Sequence, residues 1–173
     1  MSHNAPVLPT EESNPTTEGQ VLPAPLQQAL DEARQAARDA GLAYAGGLPP
    51  PLAWQLVSAG ALTLVDVRSP EEYRFVGHVP DSLQVPWASG TGLTRNPRFV
   101  RELEAKLGGR KDRPVLLLCR SGRRSALAAE AAAKAGFTKV YNVLEGFEGD
   151  LDAQGQRGHG NGWRFHHLPW QQD

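Results

Sequence analysis

Val115-Leu116-Leu117-Leu118-Cys119-Arg120-Ser121-Gly122-Arg123-Arg124-Ser125 is the stretch on which the fold and chemistry of this chain turn. Its first four residues are a short apolar run, which predicts a buried strand. Residues 126–135 are rich in alanine and precede Gly136, which predicts a helix and its stop. The turn between them carries the only cysteine of the chain and three arginines. A strand, a tight turn and a helix bring the Cys119 sulfur over a helix N-terminus, where backbone N–H groups lack partners. Those groups and the arginines favour the thiolate, which is the nucleophilic form. A packing cysteine is expected inside an apolar run; this one stands at the exit of its run, among charges. With four residues between Cys119 and Arg124, the turn can aim successive N–H groups inward as an anion-binding nest. Gly122 supplies the backbone freedom. Arginines at a helix start oppose the macrodipole, so Arg120, Arg123 and Arg124 make better sense beside a bound anion.

Working outward, Pro25 suits a first helical turn. Leu26, Ala29, Leu30, Ala33 and Ala37 then recur at helical spacing up to Gly41. Residues 1–23, rich in Pro, Thr, Glu and Asn, read as a flexible tail. Residues 24–44 read as a helix and connector whose apolar stripe covers part of the core, a dimer face being the alternative. Residues 46–60 read as a turn and a helix packing through Leu52, Trp54, Leu56 and Val57. Strands are predicted over 62–67, 83–87, 115–118 and 139–144. Ser69 and Glu72 form a capping-box pattern with Pro70 at the first helical position, which explains Glu71 and Glu72 without a catalytic role. Asn96-Pro97 opens another helix, with Phe99, Leu103 and Leu107 on one face and Gly108 at its end. Strands alternating with helices predict an α/β fold, a central parallel sheet flanked by helices. Sites in such sheets lie beyond the carboxyl ends of the strands, where Cys119 falls.

The loop Cys119-Arg120-Ser121-Gly122-Arg123-Arg124-Ser125 resembles the active-site loop of the rhodanese family of sulfurtransferases. Leu62-Thr63-Leu64-Val65-Asp66-Val67-Arg68 is similar to the family's early strand, Ser69-Pro70-Glu71-Glu72-Tyr73 to the helix after it, and Gly77-His78-Val79-Pro80 to its Gly-His-Ile-Pro turn. Asn142-Val143-Leu144-Glu145-Gly146-Phe147, Gly162-Trp163-Arg164 and Leu168-Pro169-Trp170 are similar to its closing segments, in family order. The resemblance covers about residues 45–170, so 45–173 is taken as the domain. It implies the three-layer rhodanese fold and a sulfur transfer through a Cys119 persulfide. Arg120, Ser121, Gly122, Arg123, Arg124 and Ser125 would then be the substrate-binding residues. The implied donor is thiosulfate or a similar small anion. The implied acceptor is cyanide or a thiol, with a sulfur-acceptor protein among the options. No metal or organic cofactor is implied.

The chain departs from the family at three places. Residues 149–162 form a glycine-rich insertion, with glycines at 149, 155, 158, 160 and 162; loops of this length are functional or passive surface, and both readings stand. Asp81-Ser82 replaces a usual Gly-Ala pair, and His166-His167 replaces a common Ala-Gly pair.

The 173 residues predict one domain, and 40% hydrophobic content suffices for a core. A net charge of −1 offers no basic footprint for nucleic acid. One cysteine excludes an intramolecular disulfide framework. No apolar run is long enough to span a bilayer, and the start lacks a basic and apolar leader pattern. A reducing cytoplasm suits the thiol. Asp66 and Arg68 read as anchors of neighbouring loops and His78 as a turn-fixing partner. His159, His166 and His167 lack the companions of a zinc site. Trp163, Phe165 and Trp170 read as core or rim packing. Two other functions compete: a binding or regulatory module that keeps the fold without turnover, including a sulfur-relay partner, and a cysteine phosphatase. The latter needs one more residue between cysteine and arginine.

Overall fold

A computed structural model describes residues 21–173; the tail expected over residues 1–23 lies almost wholly outside them. In chain order the elements are α1 (Ala24–Asp39), β1 (Gly46–Leu48), α2 (Pro50–Ser58), β2 (Thr63–Asp66), a π-helical turn (Glu72–Val76), β3 (Leu83–Gln84), β4 (Ala88–Ser89), β5 (Thr94–Arg95), α3 (Phe99–Lys106), β6 (Val115–Leu118), α4 (Arg123–Lys134) and β7 (Val140–Val143). Five strands make one sheet in the order β1-β7-β6-β2-β3, and every pairing in it is parallel. The α/β reading, with a parallel sheet between helices, therefore holds.

Residue alternation along β6 splits the core in two. Val115, Leu117 and Cys119 face one side of the sheet, where they meet Phe99 and Leu103 of α3 and Ala128, Ala129 and Ala132 of α4. Leu116 and Leu118 face the other side and meet Leu48, Ala53, Leu56, Tyr141, Phe147 and Trp163. The alanines of α4 are the reason its axis can lie close on the sheet: small side chains shorten the helix–sheet distance. Leu26, Leu30 and Ala33 of α1 pack on the second cluster, so the apolar stripe of that helix is covered by the domain's own core.

Three elements differ from expectation. Residues 46–48 pair with Tyr141–Val143 as β1, where a turn was expected; three residues bearing two glycines carry no periodic signal. The strand expected over 83–87 shrinks to Leu83–Gln84, because Pro86 has no N–H for a ladder. The β4–β5 hairpin, antiparallel through Ala88↔Arg95 and Ser89↔Thr94, had no counterpart in the sequence reading.

The connections fix where a ligand can enter. After β2 the chain moves outward to β3; after β6 it moves the opposite way to β7. Neighbouring parallel strands whose connections diverge leave a crevice at their carboxyl ends. Leu118 ends β6 opposite Asp66, the end of β2, and Cys119 is the next residue.

Candidate functional site

Cys119 continues the inward alternation of β6, and it is 1% exposed. Its sulfur forms the floor of the loop that follows. The Gly122 N–H and the Ser125 hydroxyl each reach Sγ at 3.1 Å. Gly122 holds φ +95° as the residue before α4, a left-handed conformation that suits glycine.

The loop is shaped from behind by the chain leaving β7. Phe147 N–H donates to the Cys119 carbonyl at 2.8 Å, and the N–H groups of Glu148 and Gly149 donate to the Arg120 carbonyl at 2.9 and 3.2 Å. These bonds satisfy the Cys119 and Arg120 carbonyls, and the first N–H groups of α4 are those that a helix leaves without intrahelical partners. Gly146 makes the clamp possible: a Cβ there would lie 2.5 Å from the carbonyl of Arg120 and from the Ser121 nitrogen.

Asn142, on β7, ties the same unit together. Its Nδ2 donates to the Gly122 carbonyl at 3.1 Å, and its Oδ1 accepts from Ser125 Oγ. The sequence reading gave Asn142 no role. A polar residue in an otherwise apolar strand, 3% exposed, was the available signal, since buried amides need partners.

The structure divides the three arginines. Arg124 donates from both terminal nitrogens to Glu72, at 2.7 and 2.8 Å. Glu72 also completes the capping box, accepting from the Ser69 N–H and hydroxyl at 3.3 and 3.2 Å while its own N–H donates to Ser69 Oγ at 3.2 Å. The helix start and the Cys119 loop are thus joined by one carboxylate. Burial pushes the Glu72 carboxyl upward, but the hydrogen bond and charge of Arg124, helped by Ser69 and Arg68, hold it below its ordinary value. Arg124 is raised, chiefly by its hydrogen bond to Glu72. Arg120 and Arg123 have no carboxylate partner among the described residues, and Arg120 Nε is buried without a hydrogen bond.

Asp66 and Arg68 form a pair with both side chains fully buried, Nη2 to Oδ2 at 2.7 Å. Arg68 Nη2 also donates to the Gly77 carbonyl at 2.6 Å, and its guanidinium lies over the Phe147 ring at 4.3 Å. The pair anchors the 77–80 turn, as expected. His78 stacks on Tyr73 with centroids 4.1 Å apart, its Nδ1 3.1 Å from the Tyr73 carbonyl oxygen. His159 faces Asp152 at 2.7 Å and His166 faces Glu145 at 3.2 Å. No cluster of three or more potential metal ligands occurs among the described residues. Trp163 is fully buried, whereas Phe165 and Trp170 are exposed.

Two cavities adjoin the loop, and Arg120 borders both. One, about 360 Å³, lies among Glu71, Glu72, Leu93, Arg120 and Arg124, under the β4–β5 hairpin. The other, about 380 Å³, is lined by Arg120, Ser121, Arg123, Asp150, Leu151 and Arg157. A larger cavity of about 550 Å³ lies near Leu62, Pro114 and Lys139, at the amino ends of β2, β6 and β7. That edge of a parallel sheet is the wrong one for a site of this kind, and Cys119 follows the opposite end of β6.

Comparison with known proteins agrees with this geometry. The model of a family described as "Rhodanese-like domain" matches residues 50–153. The uncharacterized protein RP600 of Rickettsia prowazekii is 36% identical over 110 residues, 62% of this chain and 81% of that one. Thiosulfate sulfurtransferase 16, chloroplastic, of Arabidopsis thaliana is 33% identical over 98 residues, 56% of this chain and 78% of its own length. Among solved structures, that of Rv0390 from M. tuberculosis is 48% identical, with a TM-score of 0.66, covering 75% of this chain and 99% of that one. A cysteine delivered by a parallel strand into a loop clamped against the next strand, together with these matches, shows that the chain belongs to the family of rhodanese-like domains.

Proposed function

We propose that this protein is a sulfurtransferase that carries sulfane sulfur as a Cys119 persulfide. The observation that carries the proposal is the Cys119 sulfur held at 3.1 Å from both the Gly122 N–H and the Ser125 hydroxyl, beside two arginines without carboxylate partners among the described residues. The similarity to a protein named as a thiosulfate sulfurtransferase supports the same class.

In the first half-reaction the Cys119 thiolate attacks the outer sulfur of thiosulfate. A new S–S bond forms to Cys119, the S–S bond of thiosulfate breaks, and its electron pair leaves with sulfite. In the second, cyanide or a thiolate attacks the outer sulfur of the persulfide, and the bonding pair returns to Cys119. This is covalent catalysis in two displacements. The loop N–H groups, Ser125, Arg120 and Arg123 stabilise the anionic donor and the persulfide. Arg124, engaged by Glu72, holds the loop to the Ser69 helix start and adds its charge from there. Neither step calls for a metal or an organic cofactor. A reducing compartment such as the cytoplasm keeps the thiol usable. The domain proper extends over residues 45–173, with the 24–44 helix and connector packed on it.

The near-complete burial of Cys119 favours one competing reading, a binding or regulatory module without turnover. Intact mass separates the two. After incubation with thiosulfate and removal of excess donor, the parent gains one sulfur, about 32 Da, and loses it on adding cyanide. Cys119→Ser gains nothing and keeps its fold by circular dichroism. A parent that never gains the mass overturns the proposal.

A further inference from the structure

The cavity of about 550 Å³ at the amino ends of β2, β6 and β7 is bounded by segments that the sulfur chemistry does not use. Leu30 and Arg34 line it from α1; four residues apart, they share one face of the helix. A second wall is the turn from α2 into β2, built of Ala59, Gly60 and Ala61. These small residues leave the space open, and a Cβ added at Gly60 would meet nothing within 4 Å. The third wall is the entry to β7, with Lys139 and Tyr141. Leu22, Leu30 and Leu62, which belong to or pack on the core beneath α1, give the cavity an apolar lining.

No ion pair joins Arg34 or Lys139 to a carboxylate among the described residues. Asp31, on the same helix as Arg34, accepts from Gln27 Nε2 at 3.0 Å instead. Tyr141 is 2% exposed, yet its hydroxyl makes no hydrogen bond among the described residues. A buried phenol ordinarily finds a partner. Burial pushes this phenol above its ordinary pKa, with the Arg34 charge opposing and Asp31 assisting, so it is a neutral donor at neutral pH. Among the described residues no carboxylate lines the cavity. Two cations and an idle donor beside an apolar lining are complementary to an anion that carries an apolar body. A guanidinium matches a carboxylate in geometry as well as charge, and the volume falls within the range of small-ligand sites. We propose that this cavity binds an amphiphilic carboxylate, its headgroup met by Arg34, Lys139 and the Tyr141 hydroxyl and its apolar body laid against Leu22, Leu30 and Leu62. The site lies at the sheet edge away from Cys119 and takes no part in sulfur transfer. Its ligand joins α1 to the α2–β2 turn and to β7, so binding stabilises the fold.

Octanoate is the probe, with acetate as the headgroup alone and octanol as the body alone. In proton–nitrogen correlation spectra of the full chain, octanoate should shift the amides of Gly60, Ala61, Lys139 and Tyr141 in a saturable manner. It should leave the amides of residues 120–124 unmoved and should raise the thermal unfolding midpoint. Acetate and octanol should each bind about tenfold more weakly or worse, having lost the apolar contact or the charge-assisted one. Arg34→Glu should weaken octanoate by about tenfold, Arg34→Lys should keep most of the affinity, and Tyr141→Phe should weaken it by about threefold. Circular dichroism confirms that each variant is folded. Absence of a saturable shift in the full chain overturns the proposal, and an occupant supplied by the chain itself would show as that failure. Acetate binding as well as octanoate would make the site a surface counterion position, and octanol binding as well would make it an apolar crevice. Either result overturns the proposal, as does a folded Arg34→Glu variant that binds octanoate like the parent.

Discussion

The Ser125 hydroxyl has one proton and two neighbours that can receive it, Cys119 Sγ and Asn142 Oδ1. While the sulfur is a thiol, the hydroxyl can donate to the amide and accept from S–H; once it is a thiolate, the proton is drawn to sulfur. Asn142 therefore orients Ser125 and also competes for it. Ser125→Ala removes the only side-chain donor to the sulfur among the described residues. Alkylation of Cys119 by iodoacetamide at neutral pH should slow by about threefold to tenfold, the worth of one such bond. Stopped-flow or mass kinetics will read it, and an unchanged rate would mean that the hydroxyl serves only Asn142. At the same scale, two of the three departures from the family pattern carry backbone strain. Asp81, where a glycine is usual, sits at φ +64°, and His167, likewise, at φ +56°. Asp and His enter this region more readily than most residues but not freely. Asp81→Gly and His167→Gly should each stabilise the fold by about 0.5–1 kcal/mol, net of the greater freedom glycine has when unfolded. Urea midpoints will show it; a loss of stability would mean that the side chains contribute more than the strain takes away.

Among elements, the decisive contact is backbone on backbone: the exit of β7 against the Cys119 loop. Gly146 sits at φ +67° beneath Arg120, and a methyl there meets main-chain atoms that cannot rotate away. Gly146→Ala should destabilise by about 1–3 kcal/mol as overpacking does, and should depress persulfide formation more than a remote change of equal stability cost. Circular dichroism with the thiosulfate mass assay checks both parts. The π-helical turn plays a comparable part on the other flank: Ser69 caps it, and Glu72 reaches from it to Arg124.

At the scale of the whole molecule, the Glu72–Arg124 pair links residues far apart in sequence and makes stability depend on pH. The folded carboxyl lies below its unfolded value of ~4.3. Its contribution is thus present above that unfolded value and is lost as pH falls through the folded one. Glu72→Gln should cost about 1–2 kcal/mol at pH 7, and the gap to the parent should narrow as pH falls below the unfolded value of the carboxyl. Urea unfolding at pH 7 and pH 3.5 measures it; a gap that persists in acid would mean that shape, not charge, joins the two segments. No helix among the described residues is long and apolar enough to cross a membrane. Local pattern was enough to reveal the parallel α/β architecture, the strand that delivers Cys119, the helix behind it and the Ser69 capping box. Each depends on neighbours within a turn or two, which periodicity and turn chemistry report directly. It was also enough to place the cysteine at the carboxyl end of a strand. What only the tertiary structure decided is how distant segments meet: β1 beside β7, Asn142 under Ser125, Glu72 on Arg124, and Arg157 lining one cavity with Arg120 and Arg123. A three-residue strand with two glycines has no period to read, and the partner of a charged side chain is chosen by packing. Folding divided three similar arginines into one held by a carboxylate and two left without such a partner among the described residues.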